Sequence, residues 1–538
     1  MIKNFKIAIL FAILVLPLGL PVFFHTGVTF DFRVVVSSFE LIFIFFFSFF
    51  YLEKKSQYDL PRYEFILFVL WAICAVIAVI LSDHYAPATI RQWEWFTQIL
   101  FAFCLWAFLK ENQKFIIYAH LIVIAGFLLV CTGLVVHWNI LPDPYHYDWL
   151  SLTPNFINIR HFSHYCTAMV ILCSSFLLSD SRKFSSLAGS FLLLSICWGF
   201  LFWTGGRAGI GSAAAGLFFI YLLSGNKKKQ VLVITILACF SGYLLSDIMA
   251  VESSRGLGFL NSIQRTTSTS PDNFLSVRIE LWQFSLKWIK ACPFFGVGPD
   301  GFKFFPDADF ISHHPHNIMV QLTLGWGVPG ILLFVYLQYR LMLMGLRKLL
   351  KEKRGWMKGI KVAAFSWIAA SVIYGLVDGI YYFAIPLTLT LYCFAMIFLP
   401  TDDKKAQAPP KNRITINRGV IRVAVSILVM ILAVHIGVLH SLKNESIPEP
   451  FSIRGLLVRV FPSKTAGVEY QLEEWIEKWA QDDPDMALAA AVKFAENSLK
   501  AKFFWKIAAK LKMDQGDIKG AELMKARAVD HKSEWGQY

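Results

Sequence analysis

Residues 115–137 read FIIYAHLIVIAGFLLVCTGLVVH, an apolar run that contains no Asp, Glu, Lys or Arg. A helix of about 20 residues crosses the hydrocarbon core of a bilayer, so this run is long enough to span a membrane. Comparable runs recur along most of the chain of 538 residues, of which 56% are hydrophobic and 16% charged. They lack the strict alternation of β-barrel strands. The sequence therefore predicts an all-α polytopic membrane protein.

Thirteen apolar stretches are predicted as membrane-spanning helices. The first follows Lys3 and Lys6, as the apolar part of a signal peptide would, but it lacks a clear cleavage site and is expected to be retained. The predicted spans are 7–24, 34–52, 64–82, 95–109, 115–137, 161–179, 187–204, 207–224, 231–247, 318–345, 361–381, 384–400 and 419–440.

Lysine and arginine set the expected orientation, because basic loops are retained in the cytoplasm. Basic clusters occupy every second loop, for example Lys54-Lys55, Arg182-Lys183 and the run from Arg347 to Lys361. We therefore expect a cytoplasmic N-terminus and a C-terminus on the opposite side of the membrane, which in a bacterium would be the periplasm. Residues 441–538 hold 15 basic and 15 acidic side chains, so the formal net charge of +14 lies in the rest of the chain. The anionic inner leaflet accounts for that excess, and no nucleic-acid partner is required.

The spans divide the chain into four expected regions. These are the first membrane helices at 1–247, a large periplasmic loop at 248–317, further membrane helices at 318–440, and a periplasmic tail at 441–538. Short amphipathic stretches separated by Asp-Pro and Gly-Asp predict a helical tail that weakly resembles a tetratricopeptide hairpin. A docking role and a role in acceptor recognition are equally open for it.

Within the large loop, PDNFLSVRIELWQFSLKWIK at 271–290 predicts an amphipathic helix at the membrane interface, with Ser270 as its N-cap. Arg278 on this helix is either a snorkelling anchor or a ligand for a lipid-borne phosphate. GVGPDG at 296–301 matches G-x-G-x-x-G, but no strand precedes it and Pro299 lies inside it. The glycines therefore predict a tight turn and not a nucleotide site.

Two further stretches carry polar side chains at the ends of spans. HHPHN at 313–317 has three interpretations, which are a zinc site, a wet interfacial cluster, and a general base, since imidazole titrates near neutral pH. In FWTGGRAGIGS at 202–212, Arg207 enters the membrane behind two glycines. It is either an interfacial arginine or a functional one, and the small residues after it would let helices approach closely.

In order and spacing, these stretches resemble the bacterial O-antigen ligase superfamily. That group includes ligases that attach O-antigen to lipid A core and oligosaccharyltransferases that modify pilins. The resemblance covers about 130 residues from 202 to 331 and consists of five matched elements. They are Arg207, then Arg278 with Trp282, then Pro293 with Gly296 and Gly298, then His314, His316 and Asn317, and last Gly325, Gly327 and Gly330. The family often has an acidic residue before the last glycines, where this chain reads TLGWG.

The resemblance implies an inverting glycosyltransferase of the GT-C architecture that needs neither a metal nor a cofactor. Its donor would be a glycan on undecaprenyl diphosphate at the periplasmic face. Arg207 and Arg278 would bind the diphosphate and His316 would be the catalytic base. His313, His314 and Asn317 would shape the site.

The acceptor is expected to be a protein of the pilin type, because pilin-modifying members carry a helical periplasmic tail and this chain has one. Lipid A core is the second expectation, and a growing glycan, as in a polymerase, is the third. A flippase for lipid-linked sugars is the alternative from a different class. It would need charged residues along a path near the middle of the membrane, whereas the predicted spans hold few of them.

Overall fold

A computed structural model describes residues 2–20, 32–53, 57–82, 85–149, 153–156, 158–178, 184–251, 257–261, 271–304, 314–352, 355–400, 413–443, 476, 480, 483–497 and 501–530. His313 and Ser270 lie outside these ranges. The helices of the first half are α1 Ile2–Gly19, α2 Phe32–Phe46, α3 Arg62–Ile80, α4 Tyr85–Glu111, α5 Ile116–Ile140, α6 Ile159–Cys173, α7 Phe184–Trp203, α8 Arg207–Leu223 and α9 Lys228–Ile248. Those of the second half are α10 Pro271–Ala291, α11 Ile318–Lys351, α12 Trp356–Gly375, α13 Ala384–Ile397, α14 Arg418–Lys443, α15 Pro484–Asn497, α16 Ala501–Asp514 and α17 Ile518–Asp530.

All thirteen predicted spans coincide with helices, and the protein is an all-α multi-pass membrane protein. Within the described residues, eight helical stretches are long and apolar enough to cross a bilayer, and α1, α8 and α13 are shorter apolar helices. The predicted start at residue 95 is too late, because α4 begins at Tyr85. Its first turns contain Arg91 and Glu94, which form a buried ion pair at 2.7 Å, so this polar stretch stays inside the helix bundle.

The starts of α6, α8 and α11 lie at the same end of the bundle as the end of α12. Two glycines allow the closest of these approaches. A Cβ atom on Gly206 would lie 2.1 Å from Ser163 Oγ, and one on Gly209 would lie 2.7 Å from Thr167 Oγ1. The prediction that small residues let α8 approach its neighbours is therefore confirmed, and Arg207 begins beside α6.

The helix α11 contains a kink that receives the preceding turn of the chain. Gly327 has a φ of 70°, a left-handed conformation, and Pro329 follows it. The turn after α10 docks here, since the amide of Val297 donates to the carbonyl of Leu324 at 2.7 Å and the amide of Val328 donates to the carbonyl of Pro293 at 2.8 Å. Gly296 in that turn has a φ of 67°. The predicted tight turn is thus present, and it packs on the kink.

Near the other end, two short strands that the apolar pattern did not predict form an antiparallel ribbon. They are β1 Gln57–Pro61 and β2 Arg413–Asn417. Arg413 donates to Asp59 across the ribbon at 2.7 Å. In the tail, α15 packs on α16 and α16 packs on α17. The predicted helix around residues 469–481 lies outside the described residues except for Ile476 and Ala480, both of which are helical.

Replacing Gly327 with Ala tests the docked kink. An Ala side chain there requires a left-handed residue with a Cβ atom 2.2 Å from the carbonyl oxygen of Phe294, so we expect the protein to lose about 1–3 kcal/mol of stability. A thermal unfolding scan in detergent measures this loss as a lower midpoint. Gly133→Ala is the control, because Gly133 lies within α5 with no atom within 4 Å of the added Cβ. Equal midpoints for the two variants would contradict the account of the kink.

Candidate active site

The centre of the site is the carboxylate of Asp378, which lies just after the end of α12. Its Oδ1 is 2.9 Å from Nδ1 of His316 and accepts from the amide of Gly379 at 2.8 Å. Its Oδ2 is 3.1 Å from Nε2 of His164 on α6. Burial alone would raise the pKa of this carboxyl, but the hydrogen bonds from the two histidines hold it well below its usual range. Asp378 is therefore a fixed negative charge that joins three parts of the chain.

The hydrogen bond to Asp378 fixes the tautomer of His316. An ionised carboxylate only accepts hydrogen bonds, so Nδ1 of His316 carries the proton and donates it. In the neutral ring, Nε2 then holds the lone pair and can accept a proton from a reacting hydroxyl. The backbone of His316 is left-handed, with a φ of 49°, and its side chain is 20% exposed. His316 is therefore a base that a carboxylate orients and that is reachable from outside the protein.

His314 has a different role because it is buried. Its Nδ1 accepts a hydrogen bond from the backbone amide of His316 at 3.2 Å, and its ring stacks on Tyr382 with the centroids 5.0 Å apart. Burial, together with the nearby His316, lowers its pKa well below the usual value. His314 therefore stays neutral and supports the turn that presents His316. A Cβ atom on Gly379 would lie 2.6 Å from its Nδ1, so a glycine is needed beside Asp378.

Three arginines lie near the His316–Asp378 pair. Burial lowers the pKa of the Arg278 guanidinium, the charge of Asp378 opposes that shift, and the charges of Arg160 and Arg207 add to it. The four side chains thus share one electrostatic neighbourhood although they come from α10, α12, α6 and α8 or their ends. Arg160 and Arg207 are exposed and Arg278 is half-buried. The three guanidinium groups and the one carboxylate carry a net charge of +2, which favours an anion carrying two negative charges.

Residues 188–335 match the family model described as O-Antigen ligase. The matched segment includes Arg207, Arg278 and His316. This segment, 148 of the 538 residues, is similar to the O-antigen ligase family. The resemblance based on the sequence motifs is thereby confirmed, and the family is one of glycosyltransferase-type membrane enzymes. No curated protein shows a significant match to the chain.

Two motif residues of the O-antigen ligase segment hold the histidine turn in place. Trp282 follows Arg278 by one helical turn of α10, and its Nε1 donates to the carbonyl of Pro315 at 3.0 Å. Asn317 caps α11, where its Oδ1 accepts from the amides of Met319 and Val320, and its Nδ2 donates to the carbonyl of Leu376. Trp282 thus joins the turn to α10, and Asn317 joins it to the segment that leads to Asp378.

The only triplet in the described part of the chain with the spacing of a metal site is His314, His316 and Asp378, whose ligand atoms lie within 4.8 Å of one another. The Nδ1 atoms of both histidines already take part in hydrogen bonds. Nδ1 of His314 accepts from the His316 amide, and Nδ1 of His316 is bonded to Asp378. A cation bound through these two Nδ1 atoms would have to break both bonds, and it would lie near three arginines. The arrangement therefore fits a base held by a carboxylate better than a metal centre.

A buried ion cluster lies behind the histidine turn. Asp300 accepts from Arg33 at 2.8 Å and lies 3.8 Å from Arg91, and Glu94 lies 3.6 Å from Arg33 and 2.7 Å from Arg91. The guanidinium of Arg33 lies over the ring of Tyr382 at 4.6 Å, on the residue that stacks on His314. The turn at 296–301 is therefore joined to α2, to α4 and, through Tyr382, to the histidines.

The predicted site residues come together in part. The structure places Arg207, Arg278, His314, His316 and Asn317 at one end of the bundle, and His313 lies outside the described residues. Sequence reasoning missed the carboxylate, Asp378, and its second partner, His164. Asp378 is the one acidic residue between Glu352 and Asp402, at the end of a predicted span, and that signal could have identified it.

Replacing Trp282 with Phe tests the support of the histidine turn. The variant keeps an aromatic ring and loses the bond to Pro315, which is worth about 1 kcal/mol. We expect amide exchange in a peptide covering 314–320 to become about fivefold faster, as measured by hydrogen–deuterium exchange mass spectrometry. Trp198→Phe is the control, since Trp198 is buried and its Nε1 has no hydrogen-bond partner among the described residues. Unchanged exchange in Trp282→Phe would show that the bond does not hold the turn.

Proposed function

We propose that the protein moves a glycan from undecaprenyl diphosphate to an acceptor hydroxyl at the periplasmic face of the inner membrane. The observation that carries this proposal is the His316–Asp378 pair, 2.9 Å apart, in the same electrostatic neighbourhood as three arginines. One part of the site can accept a proton and the other can bind a diphosphate. Transfer of a glycan from a lipid diphosphate needs both.

The arginines supply the leaving-group half of the reaction. As the bond between the anomeric carbon and the diphosphate oxygen breaks, negative charge grows on the diphosphate. Guanidinium groups form bidentate, charge-assisted hydrogen bonds to phosphate oxygens, and the net charge of +2 favours that charge without a metal ion. Arg207 and Arg278 are assigned to this role, with Arg160 as a third, exposed cation.

His316 supplies the other half of the reaction. The acceptor oxygen attacks the anomeric carbon from the face opposite the diphosphate, which inverts the configuration, while Nε2 of His316 takes the hydroxyl proton. The glycosidic bond to the acceptor forms as the bond to the diphosphate breaks. Asp378 stabilises the imidazolium that results and keeps the ring oriented. His314 and Asn317 shape the turn from which His316 acts.

For the acceptor we propose a protein of the pilin type. The support is the additional helical tail, whose helices α15, α16 and α17 follow the last span. Lipid A core is the second candidate, and the family description as an O-antigen ligase favours it. Extension of a lipid-linked glycan is third. Transport of the lipid-linked sugar is the remaining alternative, but it gives no reason for a base held by a carboxylate.

Transfer with purified protein tests the proposal. We expect glycan to move from undecaprenyl diphosphate to pilin in the presence of EDTA, with a loss of at least a hundredfold in His316→Ala and Arg278→Ala. His146→Ala and Arg413→Ala are the matched controls, because His146 is exposed in another loop and Arg413 lies in the β ribbon. Transfer to lipid A core alone would keep the mechanism and change the acceptor. Full activity in His316→Ala would refute the base assignment.

Asp378→Asn tests the tautomer. The amide is nearly the same size, but it can donate to Nδ1 and so favour the ring form with its proton on Nε2. We expect the transfer rate to fall about 10²- to 10⁴-fold, by analogy with the aspartate of the serine-protease triad, while donor binding changes little. Single-turnover rates and equilibrium binding of the donor separate the two effects. Loss of donor binding with an unchanged chemical rate would contradict this role.

A further inference from the structure

A second group of buried polar side chains lies between α2 and α4, deeper in the bundle than the ion cluster. On α2, Ser37 and Glu40 follow Arg33 at helical spacing, four and seven residues on, so the three share one face. Glu40 is therefore about 10 Å further along the helix than Arg33. Ser37 and Glu40 are fully buried, which is unusual for a carboxylate inside a membrane protein.

Two contacts between α2 and α4, one above this group and one below it, show which side chains of α4 face α2. Above, Arg33 on α2 lies 3.6 Å from Glu94 on α4. Below, the rings of Phe43 and Phe101 pack edge to face with their centroids 5.6 Å apart. The turn of α4 between these contacts carries Thr97 and Gln98. Ser37, Glu40, Thr97 and Gln98 therefore form one polar layer, closed by phenylalanines on one side and by the ion cluster on the other.

This layer contains oxygen atoms without partners. Oγ of Ser37, Oε2 of Glu40, Oγ1 of Thr97 and Oε1 of Gln98 are buried and make no hydrogen bond within the described residues. The other Glu40 oxygen, Oε1, accepts from Oγ1 of Thr388 on α13 at 2.6 Å. Buried polar atoms are almost always paired, so four unpaired oxygens on adjoining helices indicate a ligand.

The charge of the layer indicates what kind of ligand it is. In the ion cluster above, Arg33 and Arg91 balance Asp300 and Glu94. Glu40 is an additional carboxylate, and no basic side chain in the described ranges forms an ion pair with it. A buried carboxylate needs a compensating positive charge, and without a cation it takes up a proton and becomes the neutral acid. One positive charge beside Glu40 would restore neutrality.

We propose that Ser37, Glu40, Thr97 and Gln98 bind a monovalent cation of the sodium class, with Thr388 orienting the Glu40 carboxylate. Hard cations take carboxylate, hydroxyl and amide oxygens, and this layer offers all three. A divalent ion would exceed the single negative charge available. The bound cation would hold α2 against α4 directly below the Arg33–Asp300 pair. This site is independent of the glycosyl transfer proposed above.

Thermal unfolding of the full-length protein in detergent tests the site. The protein is first exchanged into choline chloride and then titrated with NaCl at constant ionic strength, at pH 6 and at pH 8. We expect a saturable rise of several degrees in the unfolding midpoint with NaCl. Glu40→Gln abolishes the rise. Glu64→Gln is the matched control and retains it, since Glu64 is a buried carboxylate on α3 that pairs with Arg340 instead.

Binding of ²²Na⁺ to the wild-type protein, by equilibrium dialysis, keeps the test decisive if Glu40→Gln does not fold. Ser37→Ala is then the second variant, and we expect its sodium affinity to fall at least tenfold. Equal midpoints in NaCl and choline chloride would overturn the proposal. So would a response to pH without one to sodium, which would assign a proton to Glu40. A sodium response that persists in Glu40→Gln would place the ion elsewhere and also overturn it.

Discussion

The candidate active site depends on one carboxylate. Asp378 accepts hydrogen bonds from the rings of His316 and His164 and from the amide of Gly379, and so joins the histidine turn to α6 and to the end of α12. Without this charge the tautomer of His316 would be undefined, and three arginines would surround the site with no opposing charge. The carboxylate orients the base, while the three arginines leave the site with a net positive charge. These are the two conditions under which a base and a diphosphate-binding site can lie side by side.

The rest of the fold holds the parts of this site at the end of the bundle. Glycines bring α8 against α6, so Arg207 begins beside α6. The kink of α11 receives the turn at 293–298, and Trp282 fixes α10 on the histidine turn. The ion cluster at Asp300 adds a buried connection to α2 and α4. Each matched motif element thus contributes a contact as well as a side chain, because a base must be rigidly supported to act.

The sequence predicted the membrane helices well because long apolar runs have few alternatives in a bilayer. It also predicted that His316 and Asn317 lie at the end of a span and that Arg207 lies where the chain re-enters the membrane, since these residues lie in local motifs. It did not predict the Asp300–Arg33 pair, whose residues are 267 positions apart, nor the partners of Asp378. A single sequence contains no record of such long-range pairs. The short β ribbon was missed for the same reason, because its strands are far apart in the chain.

The most direct test of the central claim is a cryo-electron microscopy structure of the protein in nanodiscs with undecaprenyl diphosphate bound. Our account predicts the diphosphate between Arg207 and Arg278, with Nε2 of His316 facing the position of the anomeric carbon and Nδ1 still bonded to Asp378. A diphosphate bound away from both arginines, or a His316 ring turned so that Asp378 contacts no ring nitrogen of it, would contradict the account.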